Sequence, residues 1–220
     1  MKKIIALAFI MLGLGVAVAT LFPSQKSSSA TIATATKSRP DLALETSYLF
    51  DNPRPLAPFS MQDQLGNTFT NEQLLGKWSL VFVGFTSCPD VCPTTLNKLN
   101  AAYPELQAVS DNIQVVFVSV DPARDSQTKR LDYINFFNRD FKAVTADHAQ
   151  LFPFTRDLGF AYAMVGDGED YQVDHSASYV LVSPQGEKFA VFKPKAQPGK
   201  IPQILNKELV ADLKQIIESA

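Results

Sequence analysis

Apolar and polar positions fall into blocks along this chain, and from about residue 55 the blocks predict alternating strands and helices. Two runs without a charged residue, 78–85 and 113–120, are typical of strands that are buried on both faces. Between them, residues 94–109 carry apolar side chains at the spacing of a helix with one buried face. The pattern therefore predicts a strand, a helix and a second strand, which together form the start of a sheet.

The rest of the chain continues this alternation. The further elements that we predict are a hairpin at 59–69, a capped turn at 70–76, helices at 126–138 and 148–158, strands at 160–165, 179–183 and 188–192, and a terminal helix at 202–218. We expect Asp125 and Asp147 to cap the two middle helices, and Pro153 to bend or break the second. This order predicts an α/β chain with a thioredoxin-like fold, in which helices flank a central mixed sheet.

The N-terminal segment, residues 1–23, is predicted to be a transmembrane anchor or a signal segment. Lys2 and Lys3 precede nineteen residues, 4–22, that carry no charge. This length is enough to cross a bilayer core of about 30 Å. The tripeptide at 17–19, Ala-Val-Ala, also fits a cleavage site, so both alternatives stay open. Because the lysines favour the cytoplasmic side, we expect a single-pass protein of the bacterial inner membrane with its soluble domain in the periplasm.

Residues 24–50 are predicted to form a flexible linker, and residues 51–220 a single thioredoxin-like copper-binding domain. The linker begins with a stretch rich in Ser, Thr and Ala that offers little to bury. The first forty residues hold five of the basic residues, and the remainder carries 15 Lys and Arg against 22 Asp and Glu, or about −7 in charge. This acidic balance lacks the basic footprint of nucleic-acid-binding domains, so no nucleic-acid partner is expected.

The two cysteines of the chain, Cys88 and Cys92, stand four residues apart in the run Phe-Thr-Ser-Cys-Pro-Asp-Val-Cys-Pro at 85–93. The run leaves a predicted buried strand and opens a helix, where side chains at positions i and i+4 are neighbours. The amides of a helix N-terminus favour the thiolate form. Such a pair can hold one metal ion, and it can also form a disulfide bond once the chain is exported to an oxidising compartment.

The two histidines, His148 and His175, decide between these alternatives. His175 lies in segment 171–180, where thiol–disulfide proteins of this fold carry a cis-proline beside the active sulfurs, and the segment contains no proline. An imidazole placed there completes a donor set of two sulfurs and one nitrogen, which suits copper. Zinc also accepts these donors but favours a fourth ligand. We expect His148 to lie on the surface of a helix, and Asp174 is a candidate hydrogen-bond acceptor for the imidazole.

Three segments of the chain, 84–93, 120–125 and 173–176, resemble the signature segments of the Sco/SenC proteins. These are membrane-anchored copper proteins of thioredoxin fold that help to assemble the binuclear copper centre of cytochrome c oxidase. The resemblance implies that Cys88, Cys92 and His175 bind one copper ion per chain, as Cu(I) or Cu(II). It also implies a copper chaperone whose partners are the copper-bearing oxidase subunit and, in the periplasm, a copper donor or a thiol reductant.

Two enzymatic alternatives accompany this interpretation. Cys88 and Cys92 could be the redox-active pair of a thiol–disulfide oxidoreductase that keeps the copper-receiving cysteines of the oxidase subunit reduced. The missing cis-proline and the longer spacing of the cysteines favour the chaperone. We therefore expect a metallochaperone, with the oxidoreductase as the alternative. A peroxidase of the peroxiredoxin kind is the weaker third option, because the Pro-x₃-Thr-x₂-Cys pattern is not met before Cys92.

Overall fold

A six-stranded mixed sheet lies at the centre of the computed structural model, which describes residues 42–168, 170–197 and 199–220. The strands are β1 Ser47–Pro55, β2 Ser60–Gln62, β3 Thr68–Thr70, β4 Trp78–Gly84, β5 Ile113–Ser119, β6 Lys142–Val144, β7 Tyr162–Val165, β8 Gln172–His175, β9 Tyr179–Val182, β10 Glu187–Phe192, β11 Lys195–Gln197 and β12 Lys200–Gln203. The helices are α1 Val91–Val109, α2 Gln127–Phe137, α3 His148–Leu158 and α4 Asn206–Glu218, and a short 3₁₀ turn spans Asn71–Leu74.

The order of strands in the central sheet is β1-β10-β9-β4-β5-β6. Strands β4, β5 and β6 are parallel to one another, and β9 joins β4 in antiparallel orientation. Three pairs, β2–β3, β7–β8 and β11–β12, form separate two-stranded sheets. This arrangement confirms the predicted α/β class and the thioredoxin-like fold with a central mixed sheet.

Apolar side chains of β4 and β5 alternate between the two faces of the sheet, and each face has its own hydrophobic core. On one face Leu80 and Phe117 pack with residues of α1, α2 and α4. On the other, Val81 and Val118 pack with α3 and with the β2–β3 hairpin. All residues of both strands are buried, which explains why their sequences are almost continuously apolar. Helices therefore cover both faces, as the sequence predicts.

Helix α3 spans the predicted residues. Asp147 caps it by accepting a hydrogen bond from the Gln150 amide, and Gly159, with φ of 83°, ends it in the left-handed conformation. The helix continues through Pro153, so of the two predicted effects, a bend or a break, the break is not observed.

Helix α2 has a different cap from the predicted one. The Ser126 hydroxyl accepts a hydrogen bond from the Lys129 amide, whereas Asp125 points into the protein and binds other groups. Asp125 and Ser126 are both good capping residues and stand side by side, so composition alone cannot choose between them. The prediction of Asp125 as the cap is wrong.

Two further boundaries differ from the prediction. Helix α4 begins at Asn206 and not at residue 202, because residues 200–203 form β12. Residues 47–50, which the sequence assigned to the linker, form the first part of β1, and residues 47–49 pair with β10. The carboxylate of Asp212 in α4 explains this early start, since it accepts hydrogen bonds from the amides of residues 45, 46 and 47.

The predicted anchor or signal segment, residues 1–23, and the linker up to residue 41 lie outside the described residues. Within the described part of the chain, no helix combines the length and the apolar character that a bilayer crossing needs.

Candidate metal centre

Three elements bring the predicted site residues together. Cys88 lies in the turn after β4, Cys92 lies in the first turn of α1, and His175 is the last residue of β8. The two sulfur atoms and an imidazole nitrogen all lie within 4.8 Å of one another. The contact between Cys92 Sγ and His175 Nε2 is 3.5 Å. The fold thus brings together two residues that lie 83 positions apart in the chain.

Gly84, the last residue of β4, makes room for the Cys92 side chain. A Cβ atom at this position would lie 2.6 Å from Cys92 Sγ and 2.8 Å from a ring carbon of Phe117. Neither distance is compatible with normal van der Waals contact, so a larger residue would displace the sulfur. This role leaves no periodic signal in the sequence, because it depends on packing between strand and helix.

Asp125 fixes the cysteine turn to the loop that follows β5. Its carboxylate is fully buried and accepts hydrogen bonds from the Thr86 amide at 2.9 Å and the Thr86 hydroxyl at 2.5 Å. The Ser119 hydroxyl, at the end of β5, donates to the same carboxylate at 2.6 Å. Hydrogen bonds to a buried charge are stronger than those between neutral groups. The residue predicted as a helix cap therefore holds the cysteine turn in place.

Both cysteines are free thiols, and their surroundings differ. Cys88 is half-buried, whereas Cys92 is 1% exposed. The Cys92 thiol donates a hydrogen bond to the Cys88 sulfur, and together with His175 and the amides of Cys92 and Asp90 this lowers the pKa of Cys88 to about 3, against the opposing effect of burial. The same hydrogen bond, burial and the negative charge of Cys88 raise the pKa of Cys92. The pair thus holds one thiolate on Cys88 and one proton on Cys92.

The imidazole of His175 presents Nε2 to the sulfur pair. Its Nδ1 lies 3.1 Å from the carbonyl oxygen of Ser176, which can only accept, so Nδ1 carries the proton in this contact. Nε2 is then the ring nitrogen that faces Cys92, 3.5 Å from its sulfur. Asp174, the acceptor suggested by the sequence, is exposed, and the backbone carbonyl takes its place. The ring of Phe85 packs edge-on against the imidazole, with centroids 6.1 Å apart.

His148 lies outside this group of donor atoms. Its Nδ1 is 2.9 Å from the hydroxyl of Tyr162, and its ring is stacked on the Tyr162 ring. The side chain is half-buried, so it is less exposed than the sequence suggested. Tyr162 is the cross-strand partner of His175 in the β7–β8 hairpin, so His148 contacts the hairpin that carries His175.

A cleft of about 320 Å³ opens the site to solvent. Cys88 and His175 line it, and Cys92 does not. Its other lining residues are Phe85, Pro89, Asp90, Val91, Gln172, Val173, Asp174 and Ala177. An incoming group therefore meets Cys88 and His175 first, at a mouth that carries two carboxylates.

The donor set suits a soft ion of low coordination number. Three ligands at about 2.3 Å from one ion, in a trigonal arrangement, would place the donor atoms about 4 Å apart. In the structure the distance from Cys92 Sγ to His175 Nε2 is 3.5 Å, and no two of the three donor atoms are more than 4.8 Å apart. The separations are therefore close to this value. Among the described residues no fourth His, Cys, Asp or Glu joins the group, whereas structural zinc sites have four ligands. Two cysteine sulfurs and one imidazole nitrogen as donors therefore favour copper.

Comparison with known proteins places these observations in a family. Residues 51–210 match the family model SCO1/SenC. An SCO2-like protein of Rickettsia felis is 34% identical over 167 residues, which cover 74% of this chain and 82% of that protein. The copper-bound crystal structure of ScoI from Arabidopsis thaliana has a TM-score of 0.64 at 29% identity and covers 76% of this chain and all of that one. Copper-bound yeast Sco1 has a TM-score of 0.63 at 28% identity, with 76% and 91% covered.

Proposed function

Because this chain belongs to the SCO1/SenC family, we propose that it binds one copper ion through Cys88, Cys92 and His175 and delivers it to the copper-bearing subunit of cytochrome c oxidase. Proteins of this family are linked to the assembly of that oxidase. The observation that carries the proposal is the meeting of two sulfurs and one imidazole nitrogen within 4.8 Å. The copper-bound ScoI and Sco1 structures, which share the fold, support it.

Delivery by ligand exchange needs no change in the oxidation state of the ion. A cysteine or histidine of the receiving protein forms a bond to copper as a bond to this chain breaks, and the released ligand keeps its electron pair. Cys88 and His175 line the open cleft, whereas Cys92 is buried, so the exchange begins on the side of Cys88 and His175. Cys92 is then the last ligand to be released.

The predicted location fits this function. Residues 1–23 would hold the domain at the periplasmic face of the inner membrane, as an uncleaved anchor, with residues 24–46 as the tether. In that compartment the domain can meet a periplasmic copper donor, a thiol reductant and the oxidase subunit.

A transfer assay tests the delivery. The full chain is loaded with one Cu(I), mixed with the metal-free copper-bearing domain of the oxidase subunit, and the copper on each protein is counted by native mass spectrometry. We expect the ion to move to the oxidase domain, and deletion of the gene to lower oxidase activity in cells until copper is added. Copper that stays on this chain, together with unchanged oxidase activity in the deletion strain, would overturn the proposal.

Thiol–disulfide exchange is a second candidate function, and the unequal thiols favour it. A half-buried thiolate that borders an open cleft, next to a buried thiol, is the arrangement of an attacking and a resolving cysteine. Against it, segment 171–180 has no proline, and the described residues contain no cis peptide bond. The reduction potential of the Cys88–Cys92 disulfide distinguishes thiol–disulfide exchange from copper delivery. A value near about −270 mV, with fast turnover on the oxidase subunit, would favour the reductase.

A further inference from the structure

The strand that carries His175 is not held by the central sheet. β8 pairs with β7 in a separate two-stranded sheet, and among the described strands it has no other partner. Backbone hydrogen bonds inside this hairpin set its own shape but not its position over the cysteines. Side-chain contacts must supply that position. One of them is Val173, which is 5% exposed and packs into the core.

A second set of contacts joins the hairpin to the loop after β5, and we call it the Arg124 clamp, formed by Asp121, Arg124 and Tyr171. Arg124 Nε donates to Asp121 Oδ2 at 2.6 Å, and Arg124 Nη1 donates to the Tyr171 carbonyl oxygen at 2.9 Å. The Tyr171 hydroxyl donates to Asp121 Oδ1 at 2.5 Å. The guanidinium carbon lies 3.7 Å from the centre of the Tyr171 ring. The three residues thus form a closed set of contacts.

The clamp is protected from solvent, which makes its contacts strong. The Asp121 side chain is fully buried and that of Arg124 is 22% exposed. Both carboxylate oxygens of Asp121 have a donor, one from each of the other two residues. Removal of one partner from a buried ion pair is costly, because the remaining charge loses its compensation. The clamp should therefore hold the hairpin in one position.

The same short loop also holds the cysteine turn. Asp125 Nα–H donates to the Asp121 carbonyl at 3.0 Å, and the Asp125 carboxylate binds the amide and hydroxyl of Thr86. Residues 121–125 therefore connect the sulfur side of the site to its imidazole side. This loop therefore helps to set the separation between the two sides.

The clamp lies close enough to His175 to set the position of its ring. Tyr171 precedes β8 directly, and His175 ends that strand. The Phe85 ring lies near both Arg124 and His175, with its centre 5.7 Å from the Arg124 guanidinium and 6.1 Å from the centre of the imidazole. We propose that Arg124 and Tyr171 are positioning residues that hold His175 at the sulfur pair. With the clamp open, the site is reduced to two thiolates.

Two variants of the full chain test the clamp. Arg124→Gln removes the charge and the stacked guanidinium, and Tyr171→Phe removes only the hydroxyl that binds Asp121. We expect Arg124→Gln to weaken Cu(II) binding by about 10- to 100-fold, as is typical when a partner behind a metal ligand is lost. For Tyr171→Phe, which loses a single hydrogen bond, we expect about threefold. Arg139→Gln, which removes an exposed arginine, is the matched control and should leave the affinity unchanged.

A double-mutant cycle shows whether the effect passes through the imidazole. The proposal rests on the ligand role of His175, so His175→Ala alone must weaken Cu(II) binding, and adding Arg124→Gln or Tyr171→Phe must then cause no further loss. An equal loss in both backgrounds would overturn the clamp and leave the ligand role intact. If His175→Ala has no effect, the ligand assignment fails and the clamp fails with it.

The metal-free protein gives an independent readout. Diethyl pyrocarbonate modifies accessible imidazoles, and mass spectrometry reports the rate at His175 separately from that at His148. In Arg124→Gln and, to a smaller extent, in Tyr171→Phe, we expect faster modification of His175 and an unchanged rate at His148. Thermal unfolding of each variant shows that the fold persists. Unchanged modification of His175 in both folded variants would overturn the proposal.

Discussion

At the scale of single residues, two sulfur atoms in one turn of chain have different surroundings. Cys88 borders the open cleft, and Cys92 is buried against Gly84. Because the Cys92 thiol keeps its proton and donates a hydrogen bond to the Cys88 sulfur, the negative charge of the pair resides on Cys88. A soft anionic sulfur therefore lies at the mouth of the cleft, where the proposed copper ion would arrive.

The first prediction concerns the pH dependence of Cys88 in the metal-free chain. Its pKa is lowered to about 3 from the ordinary 9.0, so the thiolate persists as the pH falls through the range in which an ordinary cysteine is protonated. We expect its alkylation rate with iodoacetamide to stay level between about pH 8 and 5. Cys92→Ala removes the donor, so the pKa of Cys88 should rise and the rate should fall with decreasing pH. A tenfold loss of rate per pH unit in the unmodified chain would contradict this account.

The second prediction concerns the space for the Cys92 sulfur. In Gly84→Ala the new methyl group would lie 2.6 Å from that sulfur, so we expect weaker Cu(I) binding and a loss of about 1–3 kcal/mol in the free energy of unfolding. Gly159→Ala is the control, because φ of 83° strains the alanine while no atom lies within 4 Å of the new methyl group. It should lower stability but not Cu(I) affinity, as measured by competition with a chelator. Equal affinities in Gly84→Ala and the unmodified chain would count against the packing argument.

At the scale of elements, the loop after β5 has a role that is distinct from helix capping. The carboxylate of Asp125 connects the end of β5 to the cysteine turn, while Ser126 caps α2. Asp125 thus holds the cysteine turn, and the adjacent Ser126 caps the helix. The clamp residue Arg124 precedes them in the same loop.

The third prediction compares two aspartates in these roles. Asp125→Ala leaves the part-buried donors of Thr86 and the buried hydroxyl of Ser119 without this acceptor, so we expect a loss of at least about 3 kcal/mol in the free energy of unfolding. Asp147→Ala removes an exposed cap of α3, for which about 1 kcal/mol is typical. Urea unfolding of both variants measures the difference. Equal losses would mean that Asp125 is no more than a cap.

Residue patterns predicted the helices and strands that have one or two buried faces. They missed β1, at the edge of the central sheet, and the separate pair β11–β12. β4 and β5 were predicted to within one residue at each end, because burial on both faces demands continuous apolar residues. β1 was missed because it is an edge strand with two prolines, polar residues and an irregular register. β11 and β12 form a two-stranded sheet of their own and give little hydrophobic signal.

At the scale of the whole molecule, the first residues of the described chain are hydrogen-bonded to α4 and not to the residues of the metal centre. The Asp212 carboxylate is fully buried and accepts hydrogen bonds from the amides of Glu45, Thr46 and Ser47 and from the Ser47 hydroxyl, each at 2.7 or 2.8 Å. The point at which the predicted tether joins the domain is therefore determined by α4. None of these residues lines the cleft at the cysteines.

The fourth prediction tests this separation. In Asp212→Ala the segment before β1 loses its buried acceptor, so we expect faster proteolytic cleavage near residues 42–47 in the folded protein. Since the two sites share no partner, Cu(II) affinity should stay within about twofold of the unmodified chain. Limited proteolysis with mass spectrometry, together with copper competition, measures both. A large loss of affinity would show that the attachment of the tether and the copper site are coupled.

The fold order and the three residues that meet at the candidate site could be predicted from the sequence, whereas the contacts that position these residues could not. Cys88 and Cys92 share one motif, and His175 falls at a known place in the fold order. Gly84 and Tyr171, in contrast, act through neighbours that lie far away in sequence, and neither contact repeats with a helical or strand period. Such contacts arise from packing, which a single sequence does not encode in a local pattern.

The most direct measurement of the central claim is a Cu(II) titration of the full chain and of His175→Ala, followed by thiolate-to-copper absorption and electron paramagnetic resonance. We predict that the unmodified chain binds one ion with nitrogen hyperfine coupling from one imidazole. His175→Ala should keep both thiols, lose that coupling and bind Cu(II) far more weakly. Identical spectra and affinities for the two proteins would contradict the account, because the imidazole would then lie outside the copper site.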